Sequence, residues 1–398
     1  MFKELSGARE ALDCILQLCP PLSRTEELPL AKGAGRVLAE DICSPVDLPS
    51  FNRAAMDGFA VRAADTRGAS LTAPVYLDLG REAIPVRTGM EVPAGMDAVV
   101  MMEDAVRRER EVEIMAPLYP WRNVSRVGED ISRNQTVLAA GRRLRPPDLA
   151  LMAALGWRDV RVYDRPRVAI IPTGSELVSL DGPESPGPGQ AYEINGLMAS
   201  LYVQQWGGRP ARRGIVPDEK ELIKETIRET IRGTMGPGQA GREADLILLI
   251  GGTSVGEKDY APRAVSEMGR LLVHGLRITP GKPTAIGLAG ETPVVCLPGY
   301  PVAALAALYL LVRPALKKMA RLDDRLKTVS ATLAGKIVSR PGYLTLARVS
   351  LKGDLAEPIM TSGAGRLSSV ARAEGIVVVP EESEGMEAGE RVEVMLIE

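Results

Sequence analysis

The alternation of apolar and polar residues changes its grammar twice along the chain. Near the start, Leu5, Leu12, Ile15, Leu16 and Leu18 fall close to one face of a helix, so the spacing predicts a helix over 3–18 that Pro20-Pro21 stop. LPLAKGAGRVLAEDICSPVDLPSF then reads as extended chain broken by Pro and Gly. Residues 55–143 carry short β-like runs such as AVVMMEDAV and EVEIMAP and no long helical pattern. RPPDLALMAALG reads as a compact helix, with Pro146-Pro147 as its start and Gly156 as its stop. DVRVYDRPRVAIIPTG follows as two strand-like runs.

From about residue 167 strands alternate with helices. VAIIPTGSEL is followed by a helix in INGLMASLYVQQWG, and PDEKELIKETIRETI is a helix with Ile223, Ile227 and Ile231 one turn apart. Asp218 and Glu221 have the spacing of a capping box at its start. The strand DLILLI, the helix APRAVSEMG, the strand PVVCLPG and the helix PVAALAALYLLVRPALKKM complete this region. That rhythm predicts βαβ units and a parallel sheet. LILLI and PVVCL are almost wholly apolar, as strands covered on both faces must be. After about 327, TVSATLAGKIV, YLTLARVSL, GIVVVP and RVEVMLI return to β grammar and predict a small terminal β-domain or barrel. DGPESPGPGQ, 181–190, reads as an exposed loop.

Composition narrows the chemistry. A chain of 398 residues is long enough for two to four domains. With 4% aromatic residues and a net charge of -2, neither a stacking surface for single-stranded nucleic acid nor a duplex partner is expected. Cys14, Cys19, Cys43 and Cys296 make no CxxC pair and His274 is the one histidine, which disfavours a Cys/His zinc site and a Ser-His-Asp triad. The longest apolar run, 302–312, is too short to span a bilayer, and the amphipathic N-terminus is no signal peptide. A cytoplasmic protein without a membrane partner is the expectation.

Ligands of open parallel sheets bind beyond the carboxyl ends of the strands. Three loops fall there: Pro172-Thr173-Gly174-Ser175-Glu176-Leu177, Gly251-Gly252-Thr253-Ser254-Val255-Gly256, and Leu297-Pro298-Gly299-Tyr300-Pro301. Glycines admit backbone N–H groups close to an anion, hydroxyls add donors, and a following helix start adds partial positive charge, so the set suits phosphate although no Walker motif is present. Any one loop taken alone reads first as a tight βα turn; three in one domain, each with a hydroxyl or lysine nearby, favour ligand binding. The acids Glu176, Asp245, Glu257 and Asp259 would repel phosphate unless a divalent cation such as Mg²⁺ bridges them. Asp259 trails the glycine turn at fixed reach, whereas Asp245 is equally the mere start of its strand. In Arg277-Ile-Thr-Pro-Gly-Lys-Pro283, Lys282 is held between Pro280 and Pro283, which suits an oxyanion; a solvated surface lysine is the alternative. Met56-Asp57-Gly58 reads as a turn between strands, and nothing in its spacing gives Asp57 a function.

Taken in order, AAMDGFAVR (54–62), RTGMEVPAGMDAVVMMED (87–104), PTGSELV (172–178), GGTSVGEKDY (251–260), TPGKPTAIG (279–287) and LPGYPVAAL (297–305) resemble the MoeA family of molybdopterin molybdenumtransferases, related to the E domain of gephyrin. The resemblance covers essentially the whole chain. It implies a multidomain α/β-plus-β protein: an N-terminal helix (1–26), a linking domain (27–50 and 140–166), a β-rich inserted lobe (51–139), a central doubly wound, mostly parallel α/β domain of the molybdopterin-binding type (167–325), and a C-terminal β-barrel-like domain (326–398). It further implies a homodimer whose active cleft lies between the central domain of one subunit and the C-terminal domain of the other, and a molybdopterin adenylyltransferase as a further partner.

The implied reaction takes adenylated molybdopterin and molybdate to molybdenum cofactor and AMP with Mg²⁺; tungstate is the alternative oxyanion. The implied catalytic residues are Asp57, Thr88, Glu176, Asp245, Asp259 and Lys282, with Asp259, Glu176 and Asp245 near the metal. The implied substrate-binding residues are Thr173, Gly174, Ser175, Gly251, Gly252, Thr253, Ser254, Gly256, Pro283, Pro298, Gly299 and Pro301. Lys282, Arg277, Arg348 and Ser362 form the implied oxyanion set. Three positions depart from the family pattern: Thr279 stands where a second lysine is usual, Tyr300 replaces an asparagine, and Ala303 lacks a serine hydroxyl. Rival readings are an adenylyltransferase or CinA-type pyrophosphatase on the same central fold, and a non-catalytic gephyrin-like scaffold.

Overall fold

The structure, a computed structural model, describes residues 5–182, 185–233, 244–253, 260–359 and 367–398. Contacts divide the chain into two compact units, Met1–Arg24 with Tyr163–Glu398, and Thr25–Val162.

The first unit is built on a six-stranded sheet in the order Arg209–Arg212, Arg167–Pro172, Leu246–Ile250, Thr292–Leu297, Ala285–Ala289, Gly269–His274. The first four strands are parallel and the last two antiparallel. Side chains alternate across a strand, so the two faces can be read off the apolar runs. Val168, Ile170, Leu246, Leu248, Ile250, Val295 and Leu297 enter one core, while Ala169, Ile171, Ile247, Leu249, Val294 and Cys296 enter the other. Helices Ala8–Leu18, Asn195–Gln205 and Pro301–Met319 cover the first face through residues such as Ile15, Val203 and Leu305. Lys220–Arg232 and Tyr260–Met268 cover the second through Ile223, Ile227 and Val265. Each fully buried isoleucine contributes about 1.5–3 kcal/mol of transfer free energy. A sheet with helices on both faces is the doubly wound arrangement read from the apolar runs.

Several details differ from the pattern reading. The first helix begins at Ala8, not residue 3, because Ser6 is held extended against the Leu276 segment: its N–H donates to the Gly275 carbonyl and its carbonyl accepts from Arg277 N–H. The Pro301 helix passes through a π turn at Leu308–Val312 before Arg313–Met319. Pro314 has no N–H for the carbonyl four residues back, and a local π turn absorbs the mismatch. The strands Gly269–His274 and Ala285–Ala289 escaped the pattern reading. The former is an edge strand with mostly exposed side chains, and the latter is built from small residues, so neither shows a long β-branched run.

Beyond the sheet, five strands close a barrel. Leu344–Lys352 pairs with Leu355–Pro358, which pairs with Thr328–Leu333, then Arg391–Leu396, then Gly375–Val379, which returns to Leu344–Lys352. Closure leaves no free edge among these strands apart from offset ends. Ala347, Val349, Val377 and Val394 fill the barrel, whereas the alternate residues Leu346 and Ile376 join the core of the parallel sheet. Ile278–Thr279, from the cationic loop, adds a short parallel strand to Leu344–Thr345.

The second unit holds two three-stranded sheets. One has the order Ile84–Val86, Gly58–Val61, Ala98–Met101, and the other Val75–Asp78, Glu111–Ile114, Ala105–Arg107. Phe59, Val61, Val100, Val112 and Ile114 form a core there. A separate cluster, with Leu38, Ile42, Leu144, Met152 and Val162, surrounds the Pro146–Ala154 helix. Among the described residues no helix is long and apolar enough to cross a membrane.

Candidate active site

The chain runs from strand Arg167–Pro172 to its neighbour Arg209–Arg212 on one side, then crosses to Leu246–Ile250 on the other. The crossing makes a topological switch point between the first and third of these strands, and a crevice opens there at their carboxyl ends. A cavity of about 290 Å³ occupies it, with Thr173, Glu176, Asn195, Asp218, Gly251 and Gly299 on its walls. Gly252 and Pro301 also line it. The three loops singled out from the sequence therefore converge because their strands are adjacent in the sheet.

Backbone hydrogen bonds set the loops. Thr173 N–H donates to the Ile250 carbonyl at 2.7 Å and Gly251 N–H to the Leu297 carbonyl at 3.0 Å. Gly174 N–H donates to the Val216 carbonyl at 3.0 Å. Gly251 has φ +108°, and a Cβ there would lie 2.3 Å from the Thr173 carbonyl oxygen. Gly251→Ala is therefore expected to cost roughly 2–4 kcal/mol, from a disfavoured backbone and a clash that only loop movement relieves. Denaturant unfolding checks this; an unchanged midpoint would contradict the close approach.

The wall facing these turns carries acceptors. Ser175 N–H donates to Asp218 Oδ2 at 3.4 Å, and Asp218 N–H donates to Ser175 Oγ at 3.2 Å. Among the described residues, Asp218 Oδ1 is buried without a hydrogen-bond partner. The capping box predicted for Asp218 and Glu221 does not form: the helix starts at Lys220 with Glu219 as its cap residue and no side-chain cap bond. Asp218 lies one residue too early, and its carboxylate is committed to the Ser175 loop instead. Glu193 is buried; its Oε1 accepts from Gly196 N–H at 2.5 Å and its Oε2 from the Arg212 guanidinium at 3.0 Å. Glu193 and Asn195, in the YEIN segment, carry no spacing signal that marks them as site residues. Their discoverable signal is positional: an acid and an amide bracketing a helix start that follows a switch-point strand.

Asp245 requires a correction. It precedes Leu246–Ile250, at the amino end of that strand, while the glycine turn is at the carboxyl end. Arg24 clamps its two oxygens at 2.7 and 2.8 Å, and Arg167 N–H donates to it at 2.9 Å. It lies off the cavity wall, in the position of a strand-start anchor rather than of a metal or adenylate ligand.

The remaining candidates fall in several places. Gly174, Ser175, Thr253 and Pro298 belong to the converging loops. Lys282 is exposed and Pro283 half-buried in the Arg277–Pro283 loop, which is stapled by Leu276 N–H to the Lys282 carbonyl at 2.8 Å. That loop approaches the Pro301 helix: a Cβ on Gly281 would sit 3.5 Å from the Ala303 carbonyl. Arg277 donates to the Leu5 carbonyl at 2.9 Å and lies 3.9 Å from Glu381. Arg348 is buried on the barrel strand opposite Ile376, and burial lowers its pKa. Ser254, Gly256, Asp259 and Ser362 lie outside the described residues.

In the second unit Asp57 and Thr88 form a pair of their own. Asp57 Oδ1 accepts from Thr88 N–H and from Thr88 Oγ1, each at 2.7 Å. Thr88 N–H first, and its hydroxyl second, lower the Asp57 pKa. Whatever these bonds add is present above the ordinary carboxylate range and is lost as pH falls through the depressed folded value. Thr88→Ala keeps the backbone donor, so the Asp57 titration midpoint is expected to move part of the way up. Carboxyl-carbon NMR titration reads this directly, and an unmoved midpoint would remove the hydroxyl from the account.

Fold and cavity together define a multidomain protein with a crevice at the switch point of a mostly parallel α/β sheet and a closed barrel on the same core. Comparison with known proteins then gives the family. Residues 7–156 match the model of the MoeA N-terminal region (domain I and II), 169–318 that of a "probable molybdopterin binding domain", and 330–397 that of the MoeA C-terminal region (domain IV). The chain is 30% identical over 403 residues to a molybdopterin molybdenumtransferase of Haemophilus influenzae, covering 97% of each chain. It is 31% identical to molybdopterin molybdenumtransferase 2 of Mycobacterium tuberculosis, covering 96% of each. A solved molybdopterin biosynthesis MoeA protein from Pyrococcus horikoshii superposes with a TM-score of 0.85 at 35% identity, over 99% of both chains. The chain belongs to the MoeA family.

Proposed function

We propose that this MoeA-family chain is an enzyme of molybdenum cofactor biosynthesis, a molybdopterin molybdenumtransferase that joins molybdate to adenylated molybdopterin and releases AMP. The observation that carries the reading is the cavity at the switch point, where glycine turns face the carboxylates of Glu176 and Asp218. Glycine turns let backbone approach phosphate oxygens closely. The carboxylates would repel those oxygens unless a cation lies between them.

Magnesium fits this donor set. The described residues hold no cluster of three or more His, Cys, Asp or Glu ligands. Mg²⁺ commonly takes only one or two carboxylates, completing its shell with substrate oxygens and water. Asp218, with an unpartnered buried oxygen, and Glu176 would hold it. Bound there, the ion would supply charge neutralisation at the phosphoanhydride. The protein's own part is to orient: Thr173 and Gly251 fix the turn, and Ser175 fixes the Asp218 carboxylate. Lys282, on a loop stiffened by Pro280 and Pro283, is the candidate molybdate ligand, with Arg348 and Ser362 in support. Arg277 is the candidate for the place of the missing second lysine; one of its N–H groups serves the Leu5 carbonyl, and a guanidinium has others to offer. The reading extends to a homodimer, with the central domain of one subunit facing the C-terminal domain of the other, and to an adenylyltransferase that supplies the substrate.

The test is AMP release from adenylated molybdopterin with Mg²⁺, measured without oxyanion, with molybdate and with tungstate. Oxyanion-dependent release with cofactor formed is expected, and the better oxyanion identifies the metal. Binding with no release under either oxyanion overturns the proposal in favour of a carrier or scaffold.

A further inference from the structure

Asn195 opens the helix Asn195–Gln205 and is 8% exposed. Its side-chain nitrogen donates to the Gly299 carbonyl at 2.6 Å. That carbonyl can only accept, so the amide nitrogen must face it and the amide orientation is fixed by chemistry. Oδ1 is thereby left on the other side, where it is buried without a hydrogen-bond partner among the described residues and belongs to a residue of the cavity wall. Buried acceptors are rarely left unmatched in folded proteins, and those that are need an explanation.

The surroundings decide what would match it. A helix start is ordinarily a site for anions, but here Glu193 already accepts from Gly196 N–H and is itself paired with Arg212. This wall therefore offers acceptors rather than donors, and a phosphate does not suit it. Asp218 Oδ1 is also an unmatched acceptor, but it is charged and suits a cation. The Asn195 oxygen is neutral and suits a neutral N–H. Ile194, Ile250 and Pro301 add apolar surface to the same cavity. Apolar surface beside a neutral acceptor on a wall residue is the environment that a planar amino-substituted heterocycle requires.

We infer that Asn195 is a specificity-determining residue of this site, whose Oδ1 accepts a hydrogen bond from the exocyclic amino group of a nitrogen heterocycle of the substrate. The inference rests on the proposed function, whose substrate carries two such groups, one on adenine and one on the pterin. Gly299 positions the amide, which ties the LPGYP turn to substrate choice as well as to loop closure.

The test uses the full chain with Mg²⁺ and two matched pairs of probes, read by titration calorimetry. AMP is compared with inosine monophosphate, and pterin with lumazine; in each pair an exocyclic carbonyl oxygen replaces the amine. The wild-type protein is expected to bind the amine-bearing member of one pair at least tenfold more tightly, and that pair identifies the source. Asn195→Ala is expected to erase the ratio by weakening the amine-bearing member about 10–100-fold while leaving its partner unchanged. Equal affinities within both pairs for the wild type overturn the inference and leave the proposed function standing; this arm needs no variant to fold. A ratio that survives in a folded Asn195→Ala protein overturns it equally. If neither AMP nor pterin binds the wild type, the proposed function fails and the inference falls with it.

Discussion

Replacing Asp218 with Ala is expected to lower AMP release at least a hundredfold without lowering the melting temperature. The two halves of this expectation have one cause. Among the described residues, Asp218 Oδ1 is buried with no hydrogen-bond partner, and Oδ2 accepts a long bond from Ser175 N–H. A buried acceptor left unpaired costs folding free energy of about 1–3 kcal/mol, so removing it does not destabilise. Such arrangements persist at sites where function requires a poorly satisfied group. Asp218 lines the cavity together with Glu176 and Glu193, and Glu193 is already paired with Arg212. In the proposed function Asp218 and Glu176 would hold the cation that neutralises the reacting phosphate, and losing such electrostatic stabilisation typically costs a factor of about 10² to 10³. Asp218→Asn separates charge from shape: it keeps the contact with Ser175 but lacks the negative charge, and is expected to be nearly as inactive as Ala. Full turnover in Asp218→Asn would remove the carboxylate from the mechanism, and a large fall in melting temperature for Asp218→Ala would mark the residue as structural.

The sequence made the sheet legible because its central strands need no partner to be recognised. LILLI and PVVCL are apolar on both faces, and the turns that follow them are glycine-rich, so the convergence of three loops could be inferred before their neighbours were known. The periphery of the sheet was less legible. Gly269–His274 has an exposed edge, and its side chains carry little of the pattern that burial imposes. Asp57 and Thr88 are 31 positions apart and meet only through the folding of the second unit; family resemblance, not spacing, singled them out. Asp218 was hidden by a rule that works in most places: an acid just before a helix usually caps it. The capping rule failed here because Ser175 competes for the carboxylate from a loop 43 residues away. Asp245 could have been excluded by length. Five strand residues separate it from Gly251, and at about 3.3 Å per residue that puts the acid roughly 20 Å from the glycine turn, too far for a shared metal.

The role left for Asp245 has a large expected effect of its own, on stability instead of rate. Arg24 closes the first segment of its unit, and Asp164 stands just after the chain returns to that unit. Arg24 forks onto both oxygens of Asp245, its Nε donates to Asp164 at 3.3 Å, and its carbonyl accepts from Asp164 N–H at 2.9 Å. Both carboxylates are more than nine-tenths buried, while Arg24 is 38% exposed. Removing one member of a buried, hydrogen-bonded pair costs about 3–5 kcal/mol, and the partial exposure of Arg24 reduces that to roughly 2–4 kcal/mol. In a unit of this size, 1 kcal/mol corresponds to a shift of about 2–4 °C, so Arg24→Ala is expected to lower the melting temperature by about 5–15 °C. Asp245→Ala is expected to do the same. Arg24→Ala combined with Asp245→Ala is expected to cost less than the sum of the two, because the second substitution removes the charge that the first leaves unpaired. At 25 °C, where the protein remains folded, each single variant is expected to keep its AMP-release rate within a few-fold of wild type. A large loss of rate in Asp245→Ala, at a temperature where calorimetry finds the fold intact, would return that carboxylate to the active site and contradict its place at the amino end of the strand.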